Sequence, residues 1–225
     1  MSDRAFYPRW IAACAAAELI GIGAAAGIAV AIGAVVGEPH TTASRLVVLA
    51  AMTAAGAIEG AALGWLEWRM LRRRLPLLRA GAWVGTTVAI AVIGWVVGMS
   101  ASLFRGGGDG AVAVEPGLAR VLVMAAVMGG AAGAVFGGAQ WLVLRRYAPH
   151  AGRWIAIHVP AWAAAMAAIF LGASVPESGW PAWAVGASGA AGGLCGGLLL
   201  GAITGLVART LEPWGDRRVA AEAGA

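Results

Sequence analysis

The chain contains no lysine and no asparagine, and all sixteen basic residues are arginine. Lysine and asparagine codons are AT-rich, so a GC-rich, bacterial genome is the expected source. Without asparagine there is no N-glycosylation acceptor. Charge is scarce as well. Of 225 residues 12% are charged and 60% hydrophobic, and the mean hydropathy is +0.80. A soluble domain is nearer about half apolar and a quarter charged. The balance argues for a polytopic membrane protein. The two cysteines, Cys14 and Cys195, lie inside apolar stretches. They form neither a disulfide framework nor a metal-ligand spacing.

Familiar chemical signatures are absent too. Gly106 to Gly110 lacks the Gly-Lys-Ser/Thr of a phosphate loop. Gly21-Ile22-Gly23-Ala24-Ala25-Ala26 matches a dinucleotide fingerprint only by letters, inside an apolar run with no strand before it. No zinc, serine-hydrolase or kinase pattern occurs. The chain therefore reads as non-enzymatic, with no cofactor and no metal. Its pI near 10.5 comes from arginines flanking apolar runs. Positive-inside bias explains these, and a nucleic-acid partner is not needed.

What the chain does have is long apolar runs. Six are expected to span: Trp10 to Val36, Leu46 to Trp68, Ala80 to Phe104, Val121 to Leu144, Trp154 to Val175, and Ala182 to Ala208. They lack the alternation of barrel strands, and helices satisfy their own backbone groups in lipid. Breakers separate them: Gly37-Glu38-Pro39, Pro76, Gly106 to Gly110, Pro149, Pro176 and Gly179. The expected fold is all-α, a single transmembrane domain over 1–225. The first run far exceeds the apolar core of a cleavable signal, about 7–15 residues.

Arginine sets the expected orientation. Thirteen arginines fall on one side, in the N-terminus (Arg4, Arg9), the second loop (Arg69, Arg72, Arg73, Arg74, Arg79), the fourth loop (Arg145, Arg146, Arg153) and the tail (Arg209, Arg217, Arg218). Three, Arg45, Arg105 and Arg120, fall on the other. Both termini, including a tail over 215–225, are then cytoplasmic, in a bacterial inner membrane. Trp10, Trp68, Trp83, Trp141 and Trp154 are expected at that interface, where an indole is comfortable.

A frame repeats three times. It reads Gly129, Gly133, Gly137, then Gln140-Trp141, then Arg145. It recurs as Gly56, Gly60, Gly64, Glu67-Trp68, Arg72, and as Gly193, Gly197, Gly201, Thr204-Gly205, Arg209. Proline follows each Arg after four residues: Pro76, Pro149, Pro213. Each frame closes a hairpin whose first helix opens at Trp10, Trp83 or Trp154. The spacing is 58 residues from Trp10 to Trp68 and from Trp83 to Trp141, and 51 from Trp154 to Gly205. The repeats span approximately 8–79, 80–151 and 152–214 and enter from one side. They are expected to be parallel repeats about a pseudo-threefold axis. Lipid gives helices no hydrophobic reason to associate, so small residues once per turn mark close backbone packing. The second helix of each hairpin should be the tightly packed one.

The Gly-xxx-Gly-xxx-Gly-xx-Gln-Trp-xx-Leu-Arg pattern resembles a class of uncharacterised bacterial multi-span proteins with tandem hairpins ending in Gln-Trp-Leu-Val-Leu-Arg. The match is closest over Gly129 to Arg146. It is weaker over Gly56 to Arg73, where Glu67 replaces Gln, and weakest in the third copy, which lacks the Trp. The resemblance implies the fold and carries no activity.

Polar side chains within the spans are few, and such residues are functional candidates. Glu18 and Glu59 sit at one depth, roughly 12–14 Å in from the interface at about 1.5 Å per residue. Only the first hairpin carries them. Either they form a proton-sharing pair or a cation site, since adjacent carboxylates cannot easily both ionise, or each only locks packing. Glu67, Gln140 and Thr204 share one repeat position on the glycine face, with Arg72, Arg145 and Arg209 one turn outward. They read as a selectivity or anion-binding vestibule, or as interhelical hydrogen bonds with snorkelling arginines. His158 reads as a cofactor ligand or proton relay, or as a hydrogen-bonded packing residue. Pro160 should kink its helix. Two functions follow. One is a structural or accessory bundle whose partners are the bilayer and other membrane-protein subunits. The other is a small transporter or channel for a proton, ion or small solute. A continuous wet path past both glutamates would separate them.

Overall fold

A computed structural model describes residues 3–104 and 117–215, with side chains from residue 5 onward. Arg105, the Gly106 to Gly110 loop, and residues 216–225 with Arg217 and Arg218 lie outside the described residues. Six helices follow in order: α1 (Asp3–Val36), α2 (Thr42–Leu71), α3 (Ala80–Phe104), α4 (Leu118–Leu144), α5 (Arg153–Ala173) and α6 (Ala182–Ala208). All six are long and apolar enough to cross a bilayer, and among the described residues there is no strand. The expected limits hold for α3 and α6. α1 starts earlier and runs through Pro8. α2 starts at Thr42 because Thr41 and Ser44 form a reciprocal capping box that the hydropathy pattern does not register.

Each helix packs on its chain neighbours, and α6 packs back on α1. The starts of α1, α3 and α5 gather with the ends of α2, α4 and α6 at one end of the bundle. There Trp10, Trp83 and Trp154 share a core with Leu71, Leu144 and Ala208. Ala25, Met52 and Ala55 form a smaller cluster with Trp95 nearer the other end.

The nine glycines of the three frames face α3, α5 and α1, not the partner helix of their own hairpin. A methyl group added at Gly64 would stand 3.1 Å from the Val84 Cα, at Gly137 3.1 Å from the Ile155 Cα, and at Gly201 2.7 Å from the Ile11 Cα. One turn further, Gly60 abuts Val88, Gly133 abuts the His158 carbonyl, and Gly197 abuts Ala15. A third turn sets Gly56 against Trp95, Gly129 against Met166, and Gly193 against Ile22. The frame glycines thus pack α2 on α3, α4 on α5 and α6 on α1, while Gly172 and Gly192 bring α5 and α6 equally close within the third hairpin. Within the second hairpin, α3 and α4 touch least of all neighbours.

The three frames also end alike. Arg72, Arg145 and Arg209 are the C-caps of α2, α4 and α6, all in right-handed helical conformation. Each backbone N–H closes the last turn onto the residue four before it, Trp68, Trp141 or Gly205. At the far end of α1, Gly37 takes a φ of +64°, which lets the chain leave the helix at once.

Candidate functional site: a buried polar layer

Trp10, Trp83 and Trp154 are completely buried. Expected at the headgroup interface, they instead turn inward at the helix starts. The Trp154 ring meets Trp10 and Trp83 edge to face, with both centroid separations 5.9 Å. Acceptors draw them in. The Trp83 indole N–H donates to Glu67 Oε2 at 3.2 Å, Trp154 to Gln140 Oε1 at 2.8 Å, and Trp10 to Thr204 Oγ1 at 2.9 Å. A buried indole N–H needs an acceptor, and each of the three finds the polar residue of one glycine frame. Trp68 and Trp141 remain partly exposed.

Glu67, Gln140 and Thr204 are therefore brought together in one interior layer, all fully buried or nearly so. Accepting from Trp154 commits the Gln140 oxygen, so its amide nitrogen must donate. It does so twice, to Glu67 Oε2 at 2.9 Å and to Thr87 Oγ1 at 3.1 Å. The hydroxyls of Thr87 and Thr204 donate one turn back, to the carbonyls of Trp83 and Leu200 at 2.9 and 2.7 Å. The layer spends its hydrogen bonds on itself, and the three indoles fill the space beside it. Arg72, Arg145 and Arg209 lie outside it, each over an aromatic ring: Trp68 at 4.9 Å, Trp141 at 4.9 Å and Tyr7 at 5.4 Å.

The third frame lacks its Trp, and Tyr7 of α1 takes the vacated place. A methyl group at Gly205 would sit 2.9 Å from the Tyr7 ring. The Tyr7 hydroxyl donates to the Ala202 carbonyl at 2.8 Å.

Glu18 and Glu59 are both buried, on α1 and α2. They make no hydrogen bond to each other. Glu59 packs its stem against Gly21 of α1 and accepts from the Trp95 indole of α3 at 2.5 Å. Neither oxygen of Glu18 has a hydrogen-bond partner. Trp162 stands eight residues after Trp154 as Glu18 stands eight after Trp10, and its indole nitrogen likewise has no partner among the described residues.

His158 is buried, with its ring 4.7 Å from Trp154 and stacked on Phe136 at 6.4 Å. Its Nδ1 lies 2.8 Å from the Trp154 carbonyl, one turn back, and fits the donor role there. The sides of Gly133 and Gly137 close on it. α5 continues as one helix through Pro160. Among the described residues no three His, Cys, Asp or Glu side chains converge on a metal-sized site.

The partners Thr87, Trp95 and Tyr7 were not singled out from the sequence. A signal existed for Thr87, which stands four residues after Trp83 as Cys14 and His158 stand four after Trp10 and Trp154. For Tyr7 it was the missing Trp at Gly205, which required some aromatic ring to fill the gap. No protein-family model matches this chain, and no curated protein or solved structure matches it at a significant level.

Proposed function

We propose that the chain is a non-enzymatic structural or accessory protein of a bacterial inner membrane, a small subunit that packs against other membrane proteins. It consists of three hairpin repeats, 8–79, 80–151 and 152–214, about a pseudo-threefold axis along the membrane normal. The glycine frames act as a glycine zipper between successive repeats. Both termini lie in the cytoplasm, as the arginine distribution favours. Support for the repeat comes from matched contacts: three indole donors to Glu67, Gln140 and Thr204, and three tiers of glycine contacts on the next helix.

One observation carries the structural reading. The interior polar layer is bonded chiefly within its own helices, with Glu67 accepting from Trp83 and Gln140 at Oε2, and Trp10, Trp83 and Trp154 pack together at its level. A conduction path needs polar groups left available to the permeant, and here they are committed to helix–helix bonds. Protein reconstituted into vesicles should pass protons, ions and small solutes no faster than protein-free vesicles. Flux that Glu18→Gln abolishes would replace this reading with the second one, a small transporter. The observation favouring that alternative is the buried, unpartnered Glu18 carboxyl. Orientation has its own test. Asp109→Cys in a cysteine-free background should be labelled only from outside the cell, and labelling from the cytoplasm alone would reverse the topology.

A further inference from the structure

We propose that the last turns of α2 form a binding site for the phosphodiester headgroup of an anionic phospholipid. A pocket of about 200 Å³ opens there, lined by Trp65, Trp68, Arg69, Arg72 and Arg73. Its wall is preformed. The Trp68 indole donates to the Leu78 carbonyl at 3.0 Å, Trp65 packs on Trp68 with centroids 5.0 Å apart, and the Arg72 guanidinium lies 4.9 Å over the Trp68 ring. Among the described residues no carboxylate pairs with Arg69 or Arg72. Their fork-shaped donors suit a phosphate.

Comparison with the other two frames separates this site from ordinary helix-end arginines. Arg72 recurs as Arg145 and Arg209. Trp65 and Arg69 do not recur: α4 has Gly138 and Leu142 at those positions, and α6 has Ala202 and Leu206. Leu142 is 49% exposed and Leu206 45%, so the matched face looks outward to lipid on the sister helices. On α2 that outward face carries a cation and an indole instead. A guanidinium on a lipid-facing surface at the end of a span lies at headgroup level, where tryptophan also settles. Basic pockets in that place attract anionic lipid. The carbonyl end of α2 would by itself repel an anion, and the clustered arginines outweigh it.

Full-length protein can be taken from vesicles of phosphatidylcholine with a minor fraction of phosphatidylglycerol, and its retained lipid read by native mass spectrometry. The protein should hold phosphatidylglycerol selectively. Arg69→Leu, the residue of both sister helices, should weaken retention about fivefold. Arg69→Lys should keep most of it. Trp65→Ala, as α6 has, should also weaken it, which provides a second probe on a different side chain. Arg146→Leu, in the turn after α4, should change nothing. Equal retention of the two lipids, or equal retention by wild type and both weakening variants, overturns the proposal. Displacement of the lipid by added inorganic phosphate also overturns it, because the occupant would then be a soluble phosphate.

Discussion

At the scale of single residues, the interior is decided by whether each buried polar atom has a partner. Trp154 and Trp162 lie two turns apart on α5, are both buried, and differ in this respect. The Trp154 N–H donates to Gln140, whereas the Trp162 N–H has no partner among the described residues. Replacement by Phe removes similar volume at both. Trp154→Phe should additionally strand the Gln140 oxygen, so it should destabilise by roughly 0.6–2 kcal/mol more than Trp162→Phe. Thermal unfolding of both variants in detergent checks this, and equal losses would mean that the Trp154 bond contributes nothing. Glycine gives a second contrast. Gly133 faces the His158 carbonyl and the Trp162 Cβ, while Gly138 has open space where its side chain would be. Gly133→Ala meets backbone that cannot yield and should destabilise by about 1–3 kcal/mol. Gly138→Ala should be neutral or slightly stabilising, as the same melts will show.

At the scale of helices, the limits of α3 and α6 could be read from hydropathy, because Ala80 to Phe104 and Ala182 to Ala208 are apolar to their ends. The glycine faces were also legible, since Gly at every fourth position marks a stripe. Which neighbour the stripe meets was not. A stripe identifies one face of α2, and nothing local to it says whether α1 or α3 lies there. The indoles misled for a related reason. A Trp at a helix end suits the headgroup region equally well, and only the inward position of Glu67, Gln140 and Thr204 on α2, α4 and α6 turns it inside. The α6–α1 contact allows a test of this packing. Tyr7 occupies the space that Trp68 and Trp141 fill in the other frames. Gly205→Trp alone should lower the melting temperature by crowding Tyr7. Adding Tyr7→Ala should recover part of the loss, giving a non-additive pair. Additive losses would show that Tyr7 does not stand in for the missing indole.

At the scale of the whole molecule, closure is the property on which the rest depends. α1 and α6 are the most distant helices in the chain, and their contact gives the glycines of α6 a neighbour to pack on, as α3 and α5 do for those of α2 and α4. The sequence implied it only through the weakest repeat copy, where Trp is absent and the hairpin is shorter. The closing contact offers a direct measurement. A side chain at Gly23 would place its Cβ 3.6 Å from the Ala190 Cβ, and one at Gly130 would be 3.8 Å from the Ala163 Cβ. Both fall within the roughly 3.5–4.5 Å that a disulfide requires. Gly23→Cys with Ala190→Cys, in a background with Cys14 and Cys195 changed to Ala, should crosslink α1 to α6 within one chain under mild oxidation. Gly130→Cys with Ala163→Cys should do the same for α4 and α5. Cleavage of the chain between α1 and α6 should then leave the fragments joined until reductant is added. If the α4–α5 pair crosslinks while the α1–α6 pair does not, or joins only separate chains, the bundle is open and the closed arrangement of three frames is wrong.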